Sequence, residues 1–287
     1  MAKVINDFSL GMTDFSSLEQ LPDLAIVNEH IGMVLNIGPY RNNFIQVGQP
    51  YRFVEGRILM VTGGTADFEL NMEQQHLEKG CIVLLMPETM MELLSCSDDF
   101  SLLGIIYKED IPVTRNIVLG AMQGEWREML RLINSLWDIV HHTPFRRETV
   151  RQLIAAIISN IQDINRIEEE RHPAAKQSRQ EQLFRQFKKL INEYCTTERT
   201  IPFYAGRLAI TPHYLSTLVS SVSGHSVMYW INRATILQAK VLLRNKDNMI
   251  YEIADLLHFP NQSAFGSFFK RETGMTPGEY RNEYHSY

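Results

Sequence analysis

Two stretches near the C-terminal end of the chain combine hydrogen-bonding side chains with an apolar stripe at helical spacing. In the later stretch, Phe265, Phe268 and Phe269 recur at the i, i+3 and i+4 positions of a buried helix face. The opposite side of this predicted helix carries Asn261, Gln262, Ser263, Ser267 and Arg271. A glutamine amide can form two hydrogen bonds with the edge of an adenine, a contact that discriminates between bases by about 1–3 kcal/mol. This face is therefore suited to hydrogen bonding with the base edges of a double-stranded nucleic acid.

The earlier stretch has the same arrangement with smaller polar groups. Leu215, Leu218 and Val219 would face inward, and Thr211 precedes the helix in the position of an N-cap. The outward side chains are Pro212, His213, Ser216, Thr217 and Ser220. For each polar residue on these two faces, a solvated surface without a binding role is the alternative interpretation.

An internal repeat predicts the elements that position these two faces. Positions 205, 208 and 210 match positions 254, 257 and 259 at an offset of 49, and positions 215, 219 and 224 match positions 265, 269 and 274 at an offset of 50. Each copy has the pattern of two short helices joined by a tight turn, followed by Gly and then a Ser or Thr suited to cap the next helix. A single copy could be an ordinary helical hairpin. The repetition instead predicts two helix-turn-helix units, over 200–224 and 249–274, joined by a linker helix over 227–243.

The stretch IADLLHFPNQSAFGSFFKRETGMTPGEYR, residues 253–281, resembles the signature of the AraC/XylS family of bacterial transcription regulators, and QAKVLL at 238–243 resembles the end of that family's linker helix. The resemblance implies a DNA-binding domain over 181–287, with double-stranded DNA and RNA polymerase as partners and no enzymatic activity. By the same analogy, base-reading positions fall on His213, Ser216, Thr217, Gln262, Ser263 and Ser267, and Lys270 lies near a phosphate.

This chain departs from the family pattern at several positions. Family members often carry Arg or Lys at four positions where this chain has Thr217, Ser220, Ser221 and Ser267. They usually have a Gly where this chain has His258, and often an Arg where it has Thr235. Fewer cationic contacts lower both the affinity for DNA and its salt dependence. We therefore expect a homodimer, because a second copy adds contacts.

The charge distribution supports an anionic partner for the C-terminal part. Residues 177–287 carry thirteen Lys and Arg against nine Asp and Glu, a balance of +4, whereas residues 1–176 carry fifteen against twenty-four, a balance of −9. The three cysteines form no C-x-x-C pair, and no apolar run approaches the ~20 residues that span a bilayer. The first residues also lack the apolar segment of a secretory signal, so we expect a cytoplasmic protein without a membrane partner.

Short β-type runs broken by turn signals predict an all-β domain ahead of the helices. The runs are MVLNI, FIQV, RILMVT, DFELNM, CIVLLM and FSLLGIIY. Their spacing, without intervening helices, favours an antiparallel barrel or sandwich. The segment LEKGCIVLLMPETMMEL, with Gly before a strand and Pro at its end, resembles a cupin barrel. We therefore expect a cupin-like, effector-sensing domain over residues 1–118, with an irregular lead-in over residues 1–20.

A cupin barrel raises the question of a metal centre. Metal cupins present a His-x-His pair with a Glu on one hairpin and a further His on a later strand. Here His76 has no such neighbour, Met90 and Met91 stand where the later His is expected, and His30 lacks metal-ligand spacing to His76. Because a first-row metal takes three or four ligands, we expect no metal or other cofactor, and His76 is predicted to be a turn or surface residue. The barrel interior could hold a small organic ligand.

Helical periodicity returns after Gly120. Apolar residues at +3/+4 spacing predict one helix through Trp126, Met129, Leu130, Ile133, Leu136, Trp137 and Val140, and another through Val150, Leu153, Ile154, Ile157, Ile161 and Ile164. We interpret residues 119–171 as a helical hairpin that packs on the barrel, pairs with a second copy of the chain, or does both. Residues 172–180 have linker composition, and Ser178 with Glu181 forms a predicted capping box for the next helix.

The expected fold is therefore multidomain: an N-terminal all-β cupin-like barrel with a helical hairpin, then an all-α domain of two helix-turn-helix units. The leading functional hypothesis is an effector-responsive, sequence-specific transcription factor that reads adjacent major grooves. A cupin enzyme with an appended helical module is a second hypothesis, disfavoured because no metal triad, G-x-S-x-G elbow or phosphate-binding Gly loop is present. A DNA-binding protein with an effector-insensitive barrel is a third.

Four residues on or beside the predicted strands could reach a pocket, but the sequence leaves their strand phase open. They are Tyr40, Arg41, Arg57 and Tyr107.

Overall fold

The computed structural model describes residues 7–8, 24–36, 38, 45–109, 111–113, 115–171, 178–244 and 248–284. They form two units, one built from the described residues between 7 and 171 and the other from those between 178 and 284. Most of the predicted lead-in over residues 1–20, residues 172–177 of the linker, and the pocket candidates Tyr40 and Arg41 lie outside the described residues. Within the described ranges, no helix is long and apolar enough to cross a membrane.

Two β-sheets form the framework of the N-terminal unit. The strands are β1 Asp7–Phe8, β2 Ala25–Val27, β3 Ile31–Val34, β4 Pro50–Phe53, β5 Gly56–Gly63, β6 Thr65–Leu70, β7 Glu73–Glu78, β8 Cys81–Leu85, β9 Thr89–Cys96, β10 Ser101–Tyr107 and β11 Ile117–Gly120. One sheet has the order β1-β4-β9-β6-β7 and the other the order β11-β8-β5-β10-β3-β2. Neighbouring strands pair antiparallel, except that β1 and β4 pair parallel. The prediction of a β-sheet region ahead of the helices is confirmed.

The six-stranded sheet separates two apolar layers, because successive side chains of a strand point to opposite faces. On β10, Leu103 and Ile105 belong to a layer that also contains helical residues. Leu102, on the other face of the same strand, packs with Phe53 and Phe68 of the five-stranded sheet. The sheet is therefore buried on both sides, by helices on one face and by the second sheet on the other.

Two helices cover the outer face of the six-stranded sheet. These are α1 Gln123–Val140 and α2 Arg147–Arg171. The predicted apolar stripe of α1 is buried, with Met129 and Ile133 fully inaccessible to solvent, and it joins Ile154 of α2 and Ile58 of β5 in one cluster. The buried stripes of both helices therefore face the six-stranded sheet.

Strand β7 was not predicted from the sequence. Its six residues include one buried side chain, Leu77, because β7 lies at the edge of its sheet. His76, predicted to be a turn or surface residue, is exposed but lies on this strand rather than in a turn, with Nδ1 2.7 Å from Asp67 Oδ1 on β6. The predicted strand FIQV spans residues 44–47, of which 45–47 are described, and these three residues do not form a strand. Val47 instead forms an isolated β-bridge with Leu93.

The C-terminal unit is helical. Its helices are α3 Arg179–Tyr194, α4 Ile201–Arg207, α5 Pro212–Ser223, α6 Val227–Arg244, α7 Ile250–Leu256, α8 Gln262–Thr273 and α9 Pro277–Tyr284. The predicted capping box is present, since Ser178 Oγ accepts from the Glu181 amide and the Glu181 carboxylate accepts from the Ser178 amide. Both repeat copies end as predicted, with Gly224 at φ +72° and Gly274 at φ +86° in the left-handed conformation that glycine adopts readily.

Helix α6 is shared by two cores. Its C-terminal half contributes Ile236, Ala239 and Leu242 to a cluster with α7, α8 and α9. At its N-terminal end, the Trp230 ring meets the Phe184 ring of α3 edge to face at 5.4 Å. The prediction of a helical domain at the C-terminal end is confirmed, and α6 contacts both groups of helices.

Candidate nucleic-acid interface

The N-terminus of α8 is shaped by its cap and by its buried aromatic side. Asn261 Oδ1 accepts from the Ala264 amide at 2.8 Å, which satisfies one of the unpaired donors of the first turn. Phe265 and Phe269 are fully buried and Phe268 nearly so, which fixes the rotation of the helix about its axis. The cap occupies the side-chain oxygen of Asn261, so the DNA contact predicted for this residue would use its amide NH2 group.

The remaining predicted residues of α8 form an exposed face. Gln262, Ser263, Ser267 and Lys270 are all exposed. Positions 263, 267 and 270 follow the i, i+4, i+7 spacing that places residues on one side of a helix. Gln262, at the first helical position, stands at the end of the helix that meets base edges in helix-turn-helix proteins.

Arg271 is also exposed, but its guanidinium already has partners. It donates to Glu272 Oε1 from Nε at 3.0 Å and from Nη2 at 2.8 Å, and it lies 5.4 Å from the centre of the Phe268 ring. An exposed ion pair of this kind contributes about 0–1 kcal/mol. A phosphate could therefore replace Glu272 at small cost.

Helix α5 exposes a face with fewer available donors. Thr211 is the N-cap, as predicted, and its Oγ1 accepts from the Tyr214 amide at 3.1 Å. Ser216 Oγ donates to the Pro212 carbonyl at 3.0 Å, and Thr217 Oγ1 donates to the His213 carbonyl at 3.1 Å. Each hydroxyl has one proton, so these two side chains are left mainly as acceptors. His213 is exposed in the first turn, which makes it the main donor candidate of this face.

The turn inside each unit holds a non-glycine residue in the left-handed region. Ala209 has φ +54° and His258 has φ +53°, at equivalent positions of the repeat. Each turn is closed by a backbone hydrogen bond, from Ile210 to Ala205 at 3.0 Å and from Phe259 to Ala254 at 2.8 Å. The left-handed conformation costs a non-glycine residue about 1–2 kcal/mol. The Gly that the family resemblance implied at position 258 would avoid this cost.

Arg199 is a functional candidate that the sequence did not indicate. Its Nη1 donates to the Leu257 carbonyl at 2.5 Å and its Nη2 to the His258 carbonyl at 2.6 Å. The guanidinium carbon also lies 4.1 Å from the centre of the Phe259 ring. Its acceptors are 58 and 59 residues away along the chain, so no local pattern could reveal the contact.

The departure at Thr235 has a structural explanation. Thr235 is fully buried in α6, and its Oγ1 lies 2.9 Å from the Ile231 carbonyl and 3.3 Å from the Cys195 carbonyl. An uncharged hydroxyl is suited to this environment, because a buried charge requires an ionic partner. Position 235 therefore supplies no cation to the protein surface.

The N-terminal unit contains a cavity between the facing layers of its two sheets. It encloses about 770 Å³ of space, part of it open to solvent. The lining residues are Val27, Gly32, Val34, Ile45, Phe53, Arg57, Leu59, Phe68, Leu70, Leu77, Val83, Leu85, Met91, Leu102, Gly104 and Ile106. A concave site with mainly apolar walls and few polar groups is typical of small-molecule binding.

Arg57 is the one charged residue among the described residues that line this cavity. Its Nη1 donates to the Glu55 carbonyl oxygen at 3.1 Å, and its guanidinium carbon lies 4.0 Å from the centre of the Phe53 ring. Burial lowers the pKa of Arg57 to about 9, and the nearby Glu55 carboxylate opposes that shift. Tyr107, the other pocket candidate among the described residues, belongs to the layer that packs against α1 and α2 and does not line the cavity. Among the described residues, no group of three or more His, Cys, Asp or Glu could hold a metal.

Comparison with known proteins connects the C-terminal geometry to a family. Residues 204–283 match a family model described as a helix-turn-helix domain. Over 281 residues, covering 96% of this chain and 91% of the relative, the chain is 24% identical to the Escherichia coli (strain K12) regulator YpdC, described as an uncharacterized HTH-type transcriptional regulator. The C-terminal unit is similar to the helix-turn-helix domains of AraC/XylS-type transcriptional regulators. This confirms the assignment made from the signature stretch, and the C-terminal unit is a DNA-binding domain of the AraC type.

Other relatives match in part. The HTH-type transcriptional activator RhaR of Yersinia pseudotuberculosis is 33% identical over 70 residues, 24% of each chain. YijO of Escherichia coli is 28% identical over 143 residues, so the match spans about half of each chain, 50% and 49%. The solved structure of ToxT from Vibrio cholerae is 14% identical and covers 88% of this chain and 98% of ToxT, with a TM-score of 0.41. The curated relatives are transcriptional regulators rather than enzymes.

Proposed function

We propose that this chain is a sequence-specific transcription factor that inserts α5 and α8 into adjacent major grooves of DNA. The observation that carries this proposal is the pairing of two capped helices, each buried on one side and polar on the other, on the single helix α6. A major groove about 12 Å wide admits one α-helix, whose N-terminal residues reach base edges. The N-terminal residues of both helices, from Thr211 and from Asn261, are exposed.

In this proposal α8 contributes more to base discrimination than α5 does. Gln262 can present both an amide donor and a carbonyl acceptor to one base, whereas the protons of Ser216 and Thr217 are engaged within α5. Lys270 adds a cation for a phosphate on the same exposed face. We assign the remaining predicted contacts, at Thr211, His213, Asn261, Ser263, Ser267 and Arg271, to the same interface.

Alanine substitution tests this assignment. The variant Gln262→Ala should weaken binding to a selected operator duplex by about 1–3 kcal/mol and should relax the base preference at one position. The variant His213→Ala should cost less. Gln186→Ala, an exposed glutamine on α3, is the matched control and should bind like the wild type. Equal affinity of all three variants for the operator, with unchanged base preference, would refute the role of α8.

We further propose that the N-terminal sheets form a cupin-like effector domain and that the cavity binds a small molecule with a mainly apolar body. The support is the cavity itself, whose lining is apolar except for Arg57. A ligand that prefers one arrangement of the protein would shift its population and so regulate DNA binding. In a thermal-shift screen of the full-length protein, such a ligand raises the melting temperature, because it binds the folded state. If no compound of this class raised the melting temperature, an effector-insensitive domain that serves assembly would be the better account.

A homodimer through α1 and α2 completes the proposal. Trp126, Leu130 and Trp137 of α1 are only partly buried, so this helix retains apolar surface after packing on the sheet. Dimerisation would double the contacts with DNA and offset the shortage of cations on α5. Sedimentation equilibrium should give twice the chain mass. The slope of log affinity for DNA against log salt should be shallow relative to the number of chains bound, because each chain contributes few cationic contacts. A monomer that binds operator tightly with a steep slope would contradict this proposal.

A further inference from the structure

We propose that Arg199 fixes the orientation of the second helix-turn-helix unit relative to the first, and thereby sets the spacing of the two DNA subsites that the protein accepts. This inference rests on the proposed function, in which both units read DNA. It concerns a residue outside both recognition helices that touches neither of their exposed faces.

The two units have separate apolar cores that share α6. The second core contains Ile253, Phe265 and Phe269 with the C-terminal half of α6. The first is built from aromatic contacts among α3, α4 and the start of α6, such as the edge-to-face pair of Phe187 and Tyr204 at 5.7 Å. Each core packs on its own part of α6, so a directional hydrogen bond between the two units would restrict their relative rotation further than the shared helix does.

Arg199 belongs to the first unit, in the segment between α3 and α4. That segment is held in place on both sides of Arg199. The Cys195 carbonyl lies 3.3 Å from Thr235 Oγ1 of α6, which also contacts the Ile231 carbonyl at 2.9 Å. The Glu198 carbonyl accepts from the buried Tyr204 hydroxyl at 2.7 Å. The base from which Arg199 extends is therefore well positioned.

The guanidinium of Arg199 binds the turn of the second unit. Its two bonds end on the carbonyls of Leu257 and His258, at the C-terminus of α7, where carbonyls lack helical partners and carry the negative end of the helix dipole. The planar guanidinium also faces the Phe259 ring at 4.1 Å. Two hydrogen bonds and a ring contact constrain the turn in direction as well as in distance. Because this turn leads directly into α8, a constraint on it is a constraint on the recognition helix.

The consequence for DNA is a narrow tolerance for spacing. Each base pair inserted between two subsites rotates one relative to the other by about 34° and moves it by about 3.4 Å along the axis. With Arg199 in place, the second recognition helix cannot follow that rotation. Without it, this directional link is lost, and we expect the second unit to adjust more easily.

The test compares full-length wild type with Arg199→Ala on two duplexes. One duplex is selected by the wild type from a random library, and the other carries one extra base pair between the subsites. We expect the insertion to weaken wild-type binding by about tenfold or more, the size of a lost base contact, and to weaken binding of Arg199→Ala by less than about threefold. Arg199→Lys, which keeps the charge but not the two-pronged donor, should fall between them. An insertion penalty for Arg199→Ala equal to that of the wild type would overturn the proposal.

Arg207→Ala is the matched control. Arg207 is an exposed arginine of α4, and its guanidinium lies 4.9 Å from the centre of the Tyr194 ring and 5.3 Å from that of Phe203, both in the first unit. This variant removes an arginine and ring contacts of the same kind without touching the turn at Leu257. Its insertion penalty should match that of the wild type, and a reduced penalty would mean that spacing tolerance follows from general loosening of the first unit.

A second measurement does not depend on DNA. In hydrogen exchange followed by mass spectrometry, Arg199→Ala should raise exchange in peptides from 250–273 while leaving peptides from 201–223 unchanged. Equal increases in both regions would indicate general destabilisation and would refute the specific role. If the wild type selects no motif, the proposed function has failed, and the exchange pattern then decides alone whether Arg199 braces the two units.

Discussion

Gly104 leads to the most quantitative prediction about the cavity. It lies on β10, paired with Val34 on one side and Leu59 on the other, and all three line the cavity. A Cβ at position 104 would lie 3.5 Å from Leu102 Cδ1 and 3.6 Å from Leu59 Cδ2, which is ordinary van der Waals contact. An alanine therefore fits without displacing its neighbours. We infer that the missing side chain helps to keep the cavity open.

The variant Gly104→Ala should be more stable than the wild type. Glycine in the interior of a strand costs about 0.5–1 kcal/mol relative to alanine, because it loses more backbone freedom on folding. For a unit of this size, a gain of that magnitude raises the melting temperature by about 1–4 °C. Thermal and urea unfolding of the two proteins measure the difference. The larger variant Gly104→Leu should fill part of the cavity and weaken binding of an uncharged fluorescent probe such as N-phenyl-1-naphthylamine.

Gly124→Ala is the control for this pair. Gly124 lies in the first turn of α1, exposed and away from the cavity, with no atom within 4 Å of an added Cβ. It should gain stability for the same entropic reason while leaving probe binding unchanged. If Gly104→Ala were destabilised by 1 kcal/mol or more, the space beside Gly104 would not be open in solution. Unchanged probe binding by Gly104→Leu would likewise contradict the assigned site.

Three further predictions follow from single residues. Burial raises the pKa of Tyr107 to about 12, and its hydroxyl has no hydrogen-bond partner among the described residues, so Tyr107→Phe should stabilise the protein by about 1 kcal/mol in urea unfolding. Because the folded pKa of Tyr107 exceeds the unfolded value of 10.0, the wild type should also lose stability relative to this variant as the pH rises from 10 towards 12. His258→Gly should raise stability by about 1 kcal/mol, since glycine adopts φ +53° without strain, and a loss of stability would show that the imidazole has a role of its own. Lys270→Ala should lower the slope of log affinity against log salt by about 1 without changing base preference, and an altered preference would place Lys270 at a base instead of a phosphate.

The sequence predicted the C-terminal unit well because its signals are local. The capping residues Ser178 and Thr211 and the terminal glycines Gly224 and Gly274 each act within four residues, and the repeat supplied two copies of the pattern. The contact of Arg199 with the turn at Leu257 was not predictable in this way, because it joins residues 58 positions apart.

The N-terminal unit was harder to predict for two physical reasons. Strands β5 and β10 carry buried apolar side chains on both faces, so their apolar runs lack a clear alternation and reveal little about strand phase. The phase of Arg57 and Tyr107, which separates the cavity from the helical layer, therefore could not be decided. Strand β7 has the opposite problem, since an edge strand with one buried side chain has the composition of a loop.

The claim that the two helix-turn-helix units read DNA sequence is tested most directly by sequencing the genomic fragments that the full-length protein retains. The account predicts an enriched motif made of paired subsites, spaced for adjacent major grooves, and the loss of one preferred base when Gln262→Ala replaces the wild type. Recovery of fragments without a shared motif, at an affinity that depends only on salt, would contradict it.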